Sequence, residues 1–105
     1  MFLIGQGNRM RLTRGDTARF SVTVLNPDGT EYTPQEDDVI TFTVKKHSAA
    51  VTAAITKMGQ SIVLEPADTS TLDVGEYVWD IDITLANGDV HTIITESKLS
   101  LEAAV

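Results

Sequence analysis

From Tyr77 to Leu85 a large apolar residue recurs at every second position. Tyr77, Trp79, Ile81, Ile83 and Leu85 take every second position, with Val78, Asp80, Asp82 and Thr84 between them. A two-residue period with large apolar groups on one side predicts a strand with one buried and one wet face. Ala86-Asn87-Gly88-Asp89 follows, and Asn-Gly signals a two-residue hairpin turn because both residues tolerate positive φ. Counting outward predicts Leu85 opposite Val90, Ile83 opposite Thr92 and Ile81 opposite Ile94. The next inward pair would set Trp79 against Glu96. The pattern therefore requires a bulge near Thr95 to Ser97, which brings Leu99 beside Tyr77 and Leu101 beside Gly75.

The same alternation, weaker, runs through the rest of the chain. Arg9 to Thr13 reads as a short edge strand with Met10 and Leu12 on one side. Arg14-Gly15-Asp16 is a turn into Thr17–Leu25, where Ala18, Phe20, Val22 and Val24 point one way. Asn26-Pro27-Asp28-Gly29 predicts a type I turn with a glycine bulge, pairing Asn26 with Thr30 and Val24 with Tyr32. After the acidic loop Gln35-Glu36-Asp37-Asp38, Val39–Lys46 reads as a strand with Ile40, Phe42 and Val44 inward. Ala53–Met58 and Ser61–Glu65 are shorter strands around Gly59-Gln60. Pro66, Asp68 and Leu72 predict a single helical turn near 66–72. Short strands separated by Gly, Pro and Asn turns point to an all-β sandwich.

Composition narrows this little, but charge changes the picture. A chain of 105 residues is one domain by size, and a hydrophobic content of 42% is ordinary for one. There is no cysteine, so disulfides and thiolate metal sites are excluded. The formal net charge of −7 is unevenly spread. All four arginines, Arg9, Arg11, Arg14 and Arg19, fall in residues 1–19, which carry +3, and residues 20–105 carry −10. An acidic body argues against nucleic acid as a partner. The arginines either protect a strand edge or meet an acidic surface on a neighbour.

The opening Met1-Phe2-Leu3-Ile4 is apolar for only four residues and follows no basic region. It is too short for a signal peptide or a membrane span, so no membrane partner is expected. Residues 1–8 read as a flexible apolar segment hinged over Gly5–Asn8, and residues 9–105 as the folded domain. Phe2, Leu3 and Ile4 either bury against the parent domain, stay disordered, or dock on a neighbouring subunit. With Arg9 and Arg11 they form the candidate assembly interface.

No side chains gather into recognisable chemistry. Arg14-Gly15-Asp16 spells an adhesive tripeptide, but it is also what a tight turn between strands looks like. Asp80 and Asp82 lie about 7 Å apart on one wet strand face, with His91 expected near it opposite Thr84. Neither they nor Glu36-Asp37-Asp38 offer the loop-borne oxygen set that calcium needs. His47 and His91 are the only histidines, and no nucleophile elbow, HExxH element or phosphate loop is present. The expectation is no enzyme, no cofactor, no metal and no small-molecule substrate. Tyr32, Tyr77 and Trp79 read as core.

Asp73-Val74-Gly75-Glu76-Tyr77-Val78-Trp79 resembles the tyrosine corner of immunoglobulin-like domains, where the Tyr lies two residues before the second disulfide cysteine. Trp79 stands at that cysteine position. The resemblance implies a Tyr77 hydroxyl bonded to backbone around Asp73, and a structural set of Gly75, Tyr77, Trp79, Ile81 and Ile83. Three landmarks come in order: Leu12–Phe20 leading to the Asn26–Gly29 turn, then Val39–Lys46, then Leu72–Ile81 before a short hairpin. This order resembles the small immunoglobulin-like domains of phage and prophage tail and baseplate proteins, including the N-terminal domain of upper-baseplate proteins. The likeness covers residues 9 to 101, and the chain departs from those proteins in stopping at Val105 with no receptor-binding or shaft region. It implies an immunoglobulin-like antiparallel β-sandwich of about seven strands. It also implies a non-enzymatic virion protein, assembled in the bacterial cytoplasm, that packs against itself or other virion proteins. The alternative is a binding module for a carbohydrate or protein ligand at a bacterial surface.

Overall fold

The computed structural model describes the backbone of residues 2–4 and all of residues 8–104. In chain order the strands are β1 (Phe2–Ile4), β2 (Met10–Thr13), β3 (Ala18–Ser21), β4 (Val24–Leu25) and β5 (Glu31–Tyr32). There follow β6 (Val39–Lys45), β7 (Ile55–Met58), β8 (Ser61–Leu64), the short helix α1 (Pro66–Ser70), β9 (Gly75–Thr84) and β10 (Val90–Glu102). The chain is all-β apart from α1. Six strands form one sheet in the order β1-β2-β10-β9-β6-β7, while β3–β8 and β4–β5 are two-stranded ladders.

The six-stranded sheet is mixed, not antiparallel throughout. Strand β2 runs parallel to β10, with Met10 opposite Leu99 and Leu12 opposite Leu101. This register puts Met10, Leu12, Leu99 and Leu101, all buried, into one core. Nor is β2 an edge. Its far side pairs antiparallel with β1, through Phe2–Leu12 and Ile4–Met10. Most of the expected hinge over Gly5–Asn8 lies outside the described residues. Asn8 has a φ of 58°, which an Asn tolerates better than most residues.

The core is carried by β9. Tyr77, Trp79, Ile81 and Ile83 are buried, as are Ile40, Phe42 and Val44 on the neighbouring β6. Over this face lie Ala18, Ile62 and Leu64 of the β3–β8 ladder, in the same apolar cluster. A chain of rings ties the layers together. Trp79 meets Phe42 at 5.7 Å between centroids, and Phe42 meets Phe20 of β3 edge-on at 5.4 Å. The indole N–H of Trp79 donates to the Lys98 carbonyl at 3.2 Å, so the ring is buried without an orphaned polar group.

The expected single strand over Thr17–Leu25 is broken in two. β3 pairs with β8, then Val22 donates its N–H to the Gln60 carbonyl at 2.8 Å and accepts from the Gln60 side chain at 3.0 Å. Beyond that bond the chain leaves β8, and β4 pairs with β5 instead, Val24 opposite Tyr32 as the turn predicts. Gly29 closes that turn, donating to Asn26.

The second hairpin differs from expectation by one residue at its tip. Gly88 donates to the Leu85 carbonyl at 2.9 Å and Leu85 to the Asp89 carbonyl at 2.8 Å, so the loop holds three residues. Gly88 has a φ of 92° and Asn87 has a negative one, whereas a two-residue type I′ turn needs both positive. Val90 therefore faces Thr84 and Thr92 faces Asp82, not Leu85 and Ile83. A register shift between Thr92 and Ile94 restores Ile81 opposite Ile94. A second, between Ile94 and Ser97, brings Leu99 to Tyr77 and Leu101 to Gly75. Two bulges absorb what the turn displaced.

Because Trp79 is buried against Phe42, which carries the contact to the opposite layer, Trp79→Ala should cost about 3–5 kcal/mol, the range for a buried aromatic. Equilibrium unfolding in urea measures it, and an unchanged midpoint would remove Trp79 from the core.

Candidate functional site

The corner before β9 is held from two sides. The Tyr77 hydroxyl donates to the Asp73 carbonyl at 2.7 Å, and the Lys46 ammonium lies 4.6 Å from the centre of the Tyr77 ring. Gly75 opens the strand at a φ of 150°, where a side chain would be strained. Gly75, Tyr77, Trp79, Ile81 and Ile83 are thus brought together as packing along one strand, and none but Ile83 borders the larger groove described below.

The first-strand residues sit along the β1–β2 side of the sheet. Arg9 approaches Glu76 at 3.4 Å, and Arg11 reaches one carboxylate oxygen of Glu102 through two nitrogens, at 2.9 and 3.1 Å. Arg14 donates to the Leu72 carbonyl at 3.3 Å. These side chains are exposed, so each pair contributes about 0–1 kcal/mol. Their charge is nonetheless matched within the chain. Of Phe2, Leu3 and Ile4 the structure describes the backbone, which lies along β2. The Arg14-Gly15-Asp16 turn is pinned to α1, since Gly15 donates its N–H to the hydroxyl of buried Thr69 at 2.9 Å.

At the opposite end from α1, the β4–β5 and β9–β10 hairpins leave a groove of about 470 Å3 between them. Val24, Leu25, Tyr32, Ile83 and Leu85 make its walls apolar, and His91 stands at its side. Sequence reasoning missed this groove. It placed Tyr32 in the core and His91 on the outer face opposite Thr84. The turn slip puts His91 opposite Ile83 instead. Leu25 and Val90, each 60% exposed, are the surplus apolar residues at this end.

The loop between β5 and β6 is fixed to the same groove. The Tyr32 hydroxyl and the Gln35 N–H both donate to the Asp38 carboxylate. The Tyr32 bond, then the Gln35 N–H, hold the Asp38 carboxyl below the ordinary carboxylate range. The same bond raises the Tyr32 hydroxyl. A lowered folded pKa means the contact supports the fold above the usual carboxylate pKa and is lost as pH falls through the lowered one. At α1, burial pushes Asp68 up, but the Glu65 N–H at 2.7 Å and Lys57 at 3.0 Å together outweigh it and leave the carboxyl below its ordinary range.

Asp80 and Asp82 share the outer sheet face, opposite Thr43 and Thr41 of β6. Among the described residues no three His, Asp or Glu side chains gather in a way that would hold a metal ion. No helix among them is long and apolar enough to cross a membrane. Comparison with protein-family models, with curated proteins and with solved structures gives no match.

Burial raises the Asp82 carboxyl above its ordinary range, and the Asp80 charge adds to it. Such an acid binds its proton more tightly folded than unfolded. Its ionised form therefore costs stability, from about pH 3.9 upward through the raised pKa. Asp82→Asn should raise the urea midpoint at pH 7, and the gain should disappear below about pH 4. A lower midpoint at pH 7 would contradict this.

Proposed function

We propose that this chain is an immunoglobulin-like β-sandwich serving as a non-enzymatic assembly module of a phage or prophage particle, a tail or baseplate accessory protein. The observation that carries the fold reading is strand order. An order of β2-β10-β9-β6-β7 facing β3–β8 has the form of an A′-G-F-C-C′ sheet facing strands B and E. The Tyr77–Asp73 bond stands where strand F begins, as a tyrosine corner does, and Trp79 fills the space of the missing disulfide. A first strand parallel to the last also suits that order.

The assembly role rests on the resemblance of the Leu12–Phe20, Val39–Lys46 and Leu72–Ile81 landmarks to virion domains. The surface supports it. Exposed apolar residues lie at the hairpin end and at Met58 on the outermost strand β7, which is 67% exposed. Partners in this reading are copies of the chain or other virion proteins, met in the bacterial cytoplasm during particle assembly. The second reading, a binding module, is favoured by one feature, the apolar groove. Its walls are aliphatic apart from the half-buried Tyr32, which suits a protein ligand better than a sugar, since a sugar stacks on exposed aromatic rings.

Particles from the strain that encodes the chain test the assembly reading. Banded on a density gradient and washed in high salt, they should retain the chain in fixed copy number relative to the tail proteins, as counted by mass spectrometry. A chain found only in the free soluble fraction would overturn it.

A further inference from the structure

The hairpin end joins an apolar groove to a charge of a single sign. Leu25 projects there at 60% exposure, beside walls formed by Tyr32, Ile83 and Leu85. The segments that flank the groove carry six acids: Asp28 and Glu31 on the β4–β5 hairpin, Glu36, Asp37 and Asp38 on the loop tied to Tyr32, and Asp89 at the tip of the second hairpin. No Lys or Arg occurs in residues 20–44 or 58–97, which supply every wall of the groove. Exposed apolar side chains within a charged rim are the anatomy of an interface core.

We infer that the hairpin end is a docking site for a protein segment presenting a large apolar side chain between Lys or Arg residues. Charge decides the occupant. A nucleic acid or an anionic membrane would be repelled by the six carboxylates. A second copy carries the same net charge of −7, and its Arg9 and Arg11 already face Glu76 and Glu102. A cationic segment is instead drawn in by the rim, while its apolar group removes Leu25 and the groove walls from water. A volume of about 470 Å3 is within the usual range of about 300–1,000 Å3 for pockets that bury a ligand. This deepens the assembly reading by naming the chemistry of the partner's contact, and it rests on that reading.

The test is an amide NMR titration of the full chain with the capped pentapeptide Lys-Lys-Phe-Lys-Lys, against Lys-Lys-Ser-Lys-Lys and Glu-Glu-Phe-Glu-Glu. Shifts should concentrate on Leu25, Tyr32, Leu85, His91 and Thr92. The serine peptide should bind at least five-fold more weakly, the glutamate peptide not detectably, and 0.5 M NaCl should weaken the phenylalanine peptide several-fold. Leu25→Ser alters an exposed position and should lose about five-fold in affinity with the spectrum otherwise preserved. Shifts scattered over the surface, equal binding of the serine peptide, or an unaffected Leu25→Ser chain would each overturn the proposal. Retention in washed particles is a separate result. A chain that is retained but ignores the peptides keeps its assembly role and loses this site.

Discussion

Burial of one face of β9 is the constraint on which the rest depends. This strand pairs along most of its length with both β6 and β10, and its inward residues Tyr77, Trp79, Ile81 and Ile83 lie under the opposite layer. Fully burying each large apolar side chain contributes about 1.5–3 kcal/mol before entropy is counted. The rings of Trp79, Phe42 and Phe20 carry the contact from one layer to the other. The corner at Asp73–Tyr77 sets where β9 starts, and hence which residues face inward, because a slip of one residue would turn the whole set to solvent.

The outer parts accommodate to that strand. The tip of the second hairpin takes a three-residue loop, and β10 adjusts with two bulges so that Leu99 and Leu101 still meet the core. Those leucines in turn fix the register of β2, whose Met10 and Leu12 pair with them and share their face. Bulges also interrupt the hydrogen-bonding rhythm of β10 between Thr92 and Ser97.

The β9 pattern was legible in the sequence because alternation over nine residues, with a Trp and three branched or long aliphatics, has no helical alternative. The Asn26–Gly29 turn was legible for the same kind of reason, since Pro27 and Gly29 each preset one backbone angle. What failed was of another kind. Asn-Gly is compatible with two loop lengths that differ in the sign of one φ, and the sequence does not choose between them. The break between β3 and β4 depends on Gln60, far away in the chain. The pairing of Arg9 and Arg11 with Glu76 and Glu102 likewise joins residues 67 and 91 positions apart. The groove was illegible because it lies between two hairpins whose phase was needed to find it. The proposed role therefore draws on two scales: a core that any such fold requires, and an acidic, apolar end that the fold itself does not require.

Hydrogen exchange resolved by residue tests the primacy of β9 most directly. Amides from Tyr77 to Ile83 should exchange only through global opening, with protection free energies equal to the unfolding free energy from urea. Those of the β4–β5 hairpin should exchange faster, through local opening that leaves the core intact. Fast local exchange within Tyr77–Ile83, or protection there below that of Val24–Tyr32, would contradict the account.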